Sequence, residues 1–89
     1  MYFLVVNKVL PGAGKAGLAE AVPAHIQWTK NKIASGEIVQ AGRWGAAGGM
    51  VILKADDPVK AEALLQGDPL IQSGLVSYEM DRFYPDVEI

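Results

Sequence analysis

The chain has 89 residues, of which 51% are hydrophobic, with a net charge of −2. That length allows one domain with one core and is too short for two. Its few basic residues are scattered, so it lacks the concentrated positive charge that nucleic acid binding requires. It has no cysteine and a single histidine, which excludes disulfides and thiolate metal sites and argues against a zinc or iron site.

No segment has the pattern of a membrane span or a secretion signal. The apolar runs fall well short of the roughly 18 residues that cross a bilayer. The run Tyr2–Val6 has neither basic residues before it nor a small-residue cleavage pattern after it. We therefore expect a soluble protein, and the lack of cysteine fits a cytoplasmic location.

The first part of the chain predicts a strand followed by a helix. Both alternating sets of Tyr2–Leu10 are apolar, which is typical of a strand covered on both faces. After the loop Pro11–Gly14, residues 17–35 show a helically spaced stripe that should face the core: Leu18, Val22, Ile26, Thr29 and Ile33. Because proline disfavours helix interiors, we expect the helix itself to cover Pro23–Ser35 and to end at Gly36.

The middle of the chain predicts a β-hairpin. Glu37–Trp44 alternates like a strand, and Gly45–Gly49 is a flexible connection. Met50–Ala55 is a second run that is apolar on both faces, as expected of an interior strand.

Two helical segments and a strand complete the chain. Pro58–Gln66 should be a helix, since proline suits the first helical position. Asp68 followed by a proline is an ordinary helix start, so Pro69–Ser73 should form a short helical turn. Leu75–Tyr84 alternates between a largely apolar and a largely polar set, and Pro85 should end this last strand.

The order strand, helix, strand, strand, helix, strand predicts an α+β fold of the ferredoxin-like type, with a four-stranded antiparallel sheet. The first and third strands are central in that fold, and they are the two runs that are apolar on both faces. Two helices cover only one face of such a sheet. We therefore expect a homodimer that pairs the uncovered faces, with further assembly of dimers left open.

Four residues are candidates for chemistry or ligand contact in the helix and the hairpin. His25 carries the only imidazole, which can take and give a proton near neutral pH. It borders the apolar stripe, where, from the pattern alone, a partly buried structural histidine is the more common case. Trp28 suits either packing or a pocket wall. Arg43 and Trp44, beside the glycine-rich connection, suit an anionic or aromatic ligand, although a surface arginine beside a packed tryptophan has the same pattern.

Asp68 and Ser73 have straightforward structural explanations. On spacing alone Asp68 is a helix cap, a role compatible with catalysis, and Ser73 before Gly74 can be simply a helix end. The glycines at 12, 14 and 17 match GxGxxG. They lack the parallel strand that a dinucleotide site needs afterwards, so we discount that motif.

Three stretches together cover nearly the whole chain: PAHIQWTK, IVQAGRWGAAGGMVIL and GDPLIQSGLVSYEMDRFYP. They resemble the YCII-related family, in the dimeric α+β barrel superfamily that also includes muconolactone isomerases. The resemblance implies that His25 and Asp68 form the active site, with Ser73 as a weaker candidate in the same motif. Many relatives have a proline and a more polar connection where this chain has residues 43–47, so the resemblance is least informative about substrate.

The resemblance also implies an enzyme that needs no cofactor or metal and moves protons on a small cyclic phenolic or enolic metabolite. Our first expectation is a lyase that removes chloride from a chlorinated hydroxyhydroquinone during aromatic degradation. Two alternatives stay open: a muconolactone-type isomerase, and a dimer that binds a small aromatic or lactone ligand without catalysis.

Overall fold

Four strands form one antiparallel sheet in the computed structural model, which describes all 89 residues. They are β1 (Tyr2–Val9), β2 (Ile38–Trp44), β3 (Gly48–Lys54) and β4 (Val76–Phe83). Their order in the sheet is β2-β3-β1-β4, and each neighbouring pair is antiparallel. The prediction that the first and third strands are central is therefore confirmed.

Three helices connect the strands: α1 (Lys15–Ser35), α2 (Pro58–Leu65) and the short α3 (Pro69–Gln72). The predicted α+β fold, with its strand–helix–strand–strand–helix–strand order, is confirmed, and α3 is the predicted turn between α2 and β4. No helix is long and apolar enough to span a membrane.

The first helix begins earlier than predicted. It starts at Lys15 and carries Pro23 in its interior, whereas the sequence predicted a start at Pro23. Proline removes one backbone bond, the one to the carbonyl of Ala19, four residues before it. Both residues are exposed, so water can satisfy that carbonyl and the helix continues through the proline.

The third strand also begins earlier than predicted, at Gly48 rather than Met50. A Cβ atom at Gly48 would lie 2.6 Å from the main-chain oxygen of Asn7. That is closer than two such atoms can approach, so only glycine fits where β3 pairs with β1 at this level. The glycines are therefore part of the sheet rather than only a connection.

The fully buried core lies between α2 and the sheet. It consists of strand residues that point to one face of the sheet, together with two residues of α2: Phe3, Val5, Ile38, Val51, Leu53, Ala61 and Leu65. Asp57 caps α2 by accepting a hydrogen bond of 2.8 Å from the Lys60 amide, which stabilises the start of the helix.

The predicted core stripe of α1 is not buried, and this corrects the prediction. No residue of α1 is buried, and Val22, Ile26 and Ile33 are exposed. The reason is that this face of the helix lies over an open cavity, which four of the five stripe residues line.

Alternate residues of the strands point to the face of the sheet that no helix covers. Leu4, Val6 and Ile52 on this face are half-buried, and Trp44 is 56% exposed. This is the apolar face for which the sequence predicted a second subunit.

A polar cluster links α2 to the edge strand β4. The Tyr78 hydroxyl donates a hydrogen bond of 2.6 Å to Glu62 Oε1, and Gln66 Nε2 donates one of 2.7 Å to the Tyr78 oxygen. The pKa of Tyr78 is raised from its ordinary value of 10.0, first by the hydrogen bond to Glu62, then by burial and the charge of Glu62.

We expect Tyr78→Phe to lower the free energy of unfolding by about 0.5–1 kcal/mol at neutral pH, since a partly exposed hydrogen bond is lost. Because the pKa of Tyr78 is raised in the folded state, its contribution is complete below pH 10.0 and decreases as the pH rises above that value. Urea unfolding of both proteins across this pH range measures the difference. A difference that grew in alkali would contradict the assignment.

Candidate functional site

Asp68 is held rigidly at the start of α3. Its Oδ1 accepts a hydrogen bond of 2.9 Å from the Leu70 amide, and Pro69 occupies the first helical turn. This is the capping geometry that the sequence predicted. The residue is only 1% exposed, so the cap also fixes a carboxylate inside the protein.

His25, on α1, makes a direct hydrogen bond to the same carboxylate oxygen. The distance from its Nδ1 to Asp68 Oδ1 is 2.8 Å, between residues 43 positions apart in the chain. An ionised carboxylate can only accept, so Nδ1 carries the proton of this bond. The other ring nitrogen, Nε2, has no partner in the protein and is free to exchange a proton with a ligand.

The second carboxylate oxygen, Asp68 Oδ2, is sealed from solvent and has no hydrogen-bond partner. Both side-chain hydrogen bonds of this buried carboxylate are therefore made by Oδ1. Burial of a charge is unfavourable unless it is paired. The carboxylate is thus placed to stabilise the imidazolium that forms when Nε2 takes a proton.

A cavity of about 530 Å³ lies between α1 and the sheet, at the end where β2 meets β3. His25 forms part of its wall, and Leu70, whose amide donates to Asp68, forms another part. Thr29 also lines it, but its hydroxyl donates to the His25 carbonyl at 2.8 Å and so supports the helix. A pocket of this size accommodates a single-ring metabolite.

The charged groups in the cavity wall are cationic. Lys30 and Arg43 line it and no acidic side chain does. Neither residue is in an ion pair within the protein, so both positive charges are available to a ligand. The arrangement favours an anionic ligand over a neutral or cationic one. The chain contains no group of three or more side chains arranged to hold a metal ion.

The structure brings three of the predicted site residues together and leaves three outside the cavity. His25 and Arg43 line the cavity, with Asp68 directly behind His25. Trp28 lies against the core and stacks on the His25 ring, with centroids 6.2 Å apart. It therefore helps to orient the imidazole, and its role as a ligand contact stays a prediction.

Trp44 and Ser73 also lie away from the cavity lining. Trp44 is on the opposite sheet face, where Lys8 Nζ lies 5.8 Å from its ring centroid. The Ser73 hydroxyl donates to the Leu70 carbonyl at 2.6 Å and accepts from the Leu75 amide at 3.2 Å. Its hydroxyl is thus used to end α3, the structural explanation that the sequence offered.

Sequence reasoning did not identify Asn7, a buried side chain in the cavity wall. The signal was present, because a polar residue follows Phe3 and Val5 in the inward-facing alternation of β1. A polar group on the buried set of a strand needs a partner, and that requirement marks it as a candidate.

The model of the YCII-related domain family matches residues 1–83. The chain belongs to the YCII-related family. Comparison with curated proteins by sequence gives no match, so further likeness comes from solved structures.

Among the solved structures that share the fold of this YCII-related protein, two are enzymes that act on small molecules. One is 5-chloro-2-hydroxyhydroquinone dehydrochlorinase (TftG) from Burkholderia phenoliruptrix AC1100, in complex with 2,5-dihydroxybenzoquinone. It is 22% identical, has a TM-score of 0.79, and the match covers 94% of each chain. The other is a muconolactone isomerase, 15% identical with a TM-score of 0.76, where the match covers 98% of this chain and 94% of that one. At these identities the likeness establishes the fold.

We expect Asp68→Ala to lower the free energy of unfolding by roughly 2–3 kcal/mol, because it removes both the α3 cap and the partner of His25. The matched control is Asp57→Ala, which removes only the cap of α2 and should cost about 1 kcal/mol. Urea unfolding measures both values.

The same pair of substitutions in a His25→Ala background tests whether the histidine accounts for the difference. There the cost of Asp68→Ala should fall toward that of Asp57→Ala, because the shared hydrogen bond is already absent. An unchanged difference would mean that the His25–Asp68 bond contributes nothing to stability.

Proposed function

We propose that this YCII-related protein is a cofactor-independent acid/base enzyme of the cytoplasm that removes chloride from a chlorinated hydroxyhydroquinone. The observation that carries the proposal is the 2.8 Å bond between His25 and a buried aspartate, which leaves Nε2 free in the wall of a cavity. This is the arrangement of a general base with an orienting carboxylate. The fold shared with a dehydrochlorinase of that substrate class supports the choice of reaction.

The chemistry requires a base and a site for negative charge. From the keto tautomer of the substrate, His25 Nε2 accepts a hydroxyl proton and the O–H electrons form a carbonyl. A ring double bond shifts, and the C–Cl bond breaks with its electron pair on chloride. The product is a hydroxyquinone that has lost HCl, so the step needs no external oxidant.

Two side chains suit the charge that develops. Lys30 and Arg43 line the cavity without acidic partners, and cationic groups near a developing enolate or departing chloride lower the barrier electrostatically. Asp68 stabilises the imidazolium on the other side of His25.

A muconolactone-type isomerase is the second candidate, favoured by the fold shared with that enzyme. The same histidine would take a proton from one carbon of a lactone and return it to another, with no loss of atoms. Release of chloride separates the two reactions. Saturable ligand binding without any product would instead identify a non-catalytic binding protein.

We expect His25→Ala to reduce chloride release from 5-chloro-2-hydroxyhydroquinone by at least about 10²-fold, the contribution typical of a positioned base. Chloride measurement with mass detection of the quinone follows the reaction under anaerobic conditions. The matched control is Gln27→Ala on the same helix, an exposed residue bonded only to Asn31, which should leave the rate within twofold of the parent protein.

A parent protein that released no chloride but isomerised muconolactone would replace the first candidate by the second. Equal rates for His25→Ala and the parent protein would contradict both, because each uses His25 as the base.

We also propose that two chains associate through the sheet face that carries no helix. Leu4, Val6 and Ile52 lie side by side on this face and are half-buried, and a second copy would remove them from water. This is the homodimer predicted from the sequence.

We expect Val6→Lys to convert a dimer to a monomer, because it would bury an unpaired charge in the interface. Light scattering coupled to size-exclusion chromatography gives the mass. Val59→Lys is the matched control, since Val59 is 79% exposed on α2 and the same charge there should leave the dimer intact. A monomeric parent protein would contradict the association.

A further inference from the structure

Asn7 is a buried polar side chain to which the proposed reaction gives no role. It is 5% exposed and, apart from Asp68, is the only polar or charged residue in the buried set. Its main-chain neighbours are held in the β1–β3 and β1–β4 ladders, so its position is fixed by the two central pairings of the sheet.

The side-chain amide of Asn7 has no hydrogen-bond partner within the protein. Asp68 Oδ2 is the only side-chain atom that is both unpartnered and sealed from solvent. The unpaired Asn7 amide is therefore open to the cavity whose wall it forms. Buried amides are almost always paired, so both its donor and its acceptor need a partner from within that cavity.

The glycine next to Asn7 in the sheet keeps the amide accessible. A Cβ atom at Gly49 would lie 3.3 Å from Asn7 Oδ1 and 3.4 Å from Nδ2. Any side chain at this position would press on both polar atoms of the amide. With glycine there, the floor of the cavity presents a donor and an acceptor side by side.

We infer that Asn7 determines specificity by recognising two oxygen atoms on adjacent ring carbons. The amide Nδ2 donates to one oxygen, and Oδ1 accepts from a hydroxyl on the other. A catechol or a hydroxy-ketone matches this pattern. A lactone does not, because both of its oxygens are acceptors and Oδ1 would be left unpaired. The inference rests on the proposed function for the cavity as the substrate site.

Calorimetric binding of two isomers tests this role without any turnover. Catechol carries adjacent hydroxyls and hydroquinone carries opposite ones, while size and charge are equal. We expect the parent protein to bind catechol roughly tenfold more tightly, the factor corresponding to an additional well-paired hydrogen bond.

The variant Asn7→Leu keeps the branched shape of the side chain and removes both polar atoms, so the preference for catechol should fall to less than about twofold. Asn31→Leu, at an exposed position on α1 where the amide bonds Gln27, is the matched control and should keep the preference. Asn7→Ala is a second variant that removes both the donor and the acceptor if the leucine variant fails to fold, which circular dichroism would reveal.

The outcomes separate this inference from the proposed reaction. No preference in the parent protein, or a preference kept in a folded Asn7 variant, would overturn the role of Asn7 even if chloride is released. A preference lost in the Asn7 variants supports the role even if no tested substrate is turned over.

Discussion

One oxygen atom, Asp68 Oδ1, connects the two parts of the protein on which the site depends. It accepts from the Leu70 amide, which begins α3, and from the His25 ring on α1. The first bond fixes the carboxylate to the backbone, and the second fixes the imidazole to the carboxylate. The direction of the free imidazole nitrogen thus depends on the short helical turn between α2 and β4.

Helices α1 and α2 pack differently on the same face of the sheet, and that difference creates the cavity. Ala61 and Leu65 of α2 are fully buried against the strands, whereas α1 has no buried residue. Packing of α2 on one half of the sheet buries the residues that form the core. Over the other half, α1 packs through Trp28 and leaves a largely apolar cavity beside it, with few polar groups in its wall.

Local patterns in the sequence predicted the strands, their order and the Asp68 cap, because alternation and capping are short-range properties. They did not predict the part of α1 before Pro23. A proline is tolerated there because the Ala19 residue that loses its hydrogen-bond partner is exposed to water, and exposure depends on the tertiary structure. Contact between His25 and Asp68 spans 43 positions and has no local signature, so only the family resemblance paired them. Asn7 could have been found from alternation alone.

The proline inside α1 has a consequence for the wall of the cavity. Its missing amide leaves the helix with one fewer bond two residues before His25. Residues beyond that point are held in place by the His25–Asp68 hydrogen bond and by the packing of Trp28 against the core. Pro23 thus divides α1 into two parts that line the same cavity: a later part with His25, held by these contacts, and an earlier part with Leu18 and Val22, joined to it by one hydrogen bond fewer.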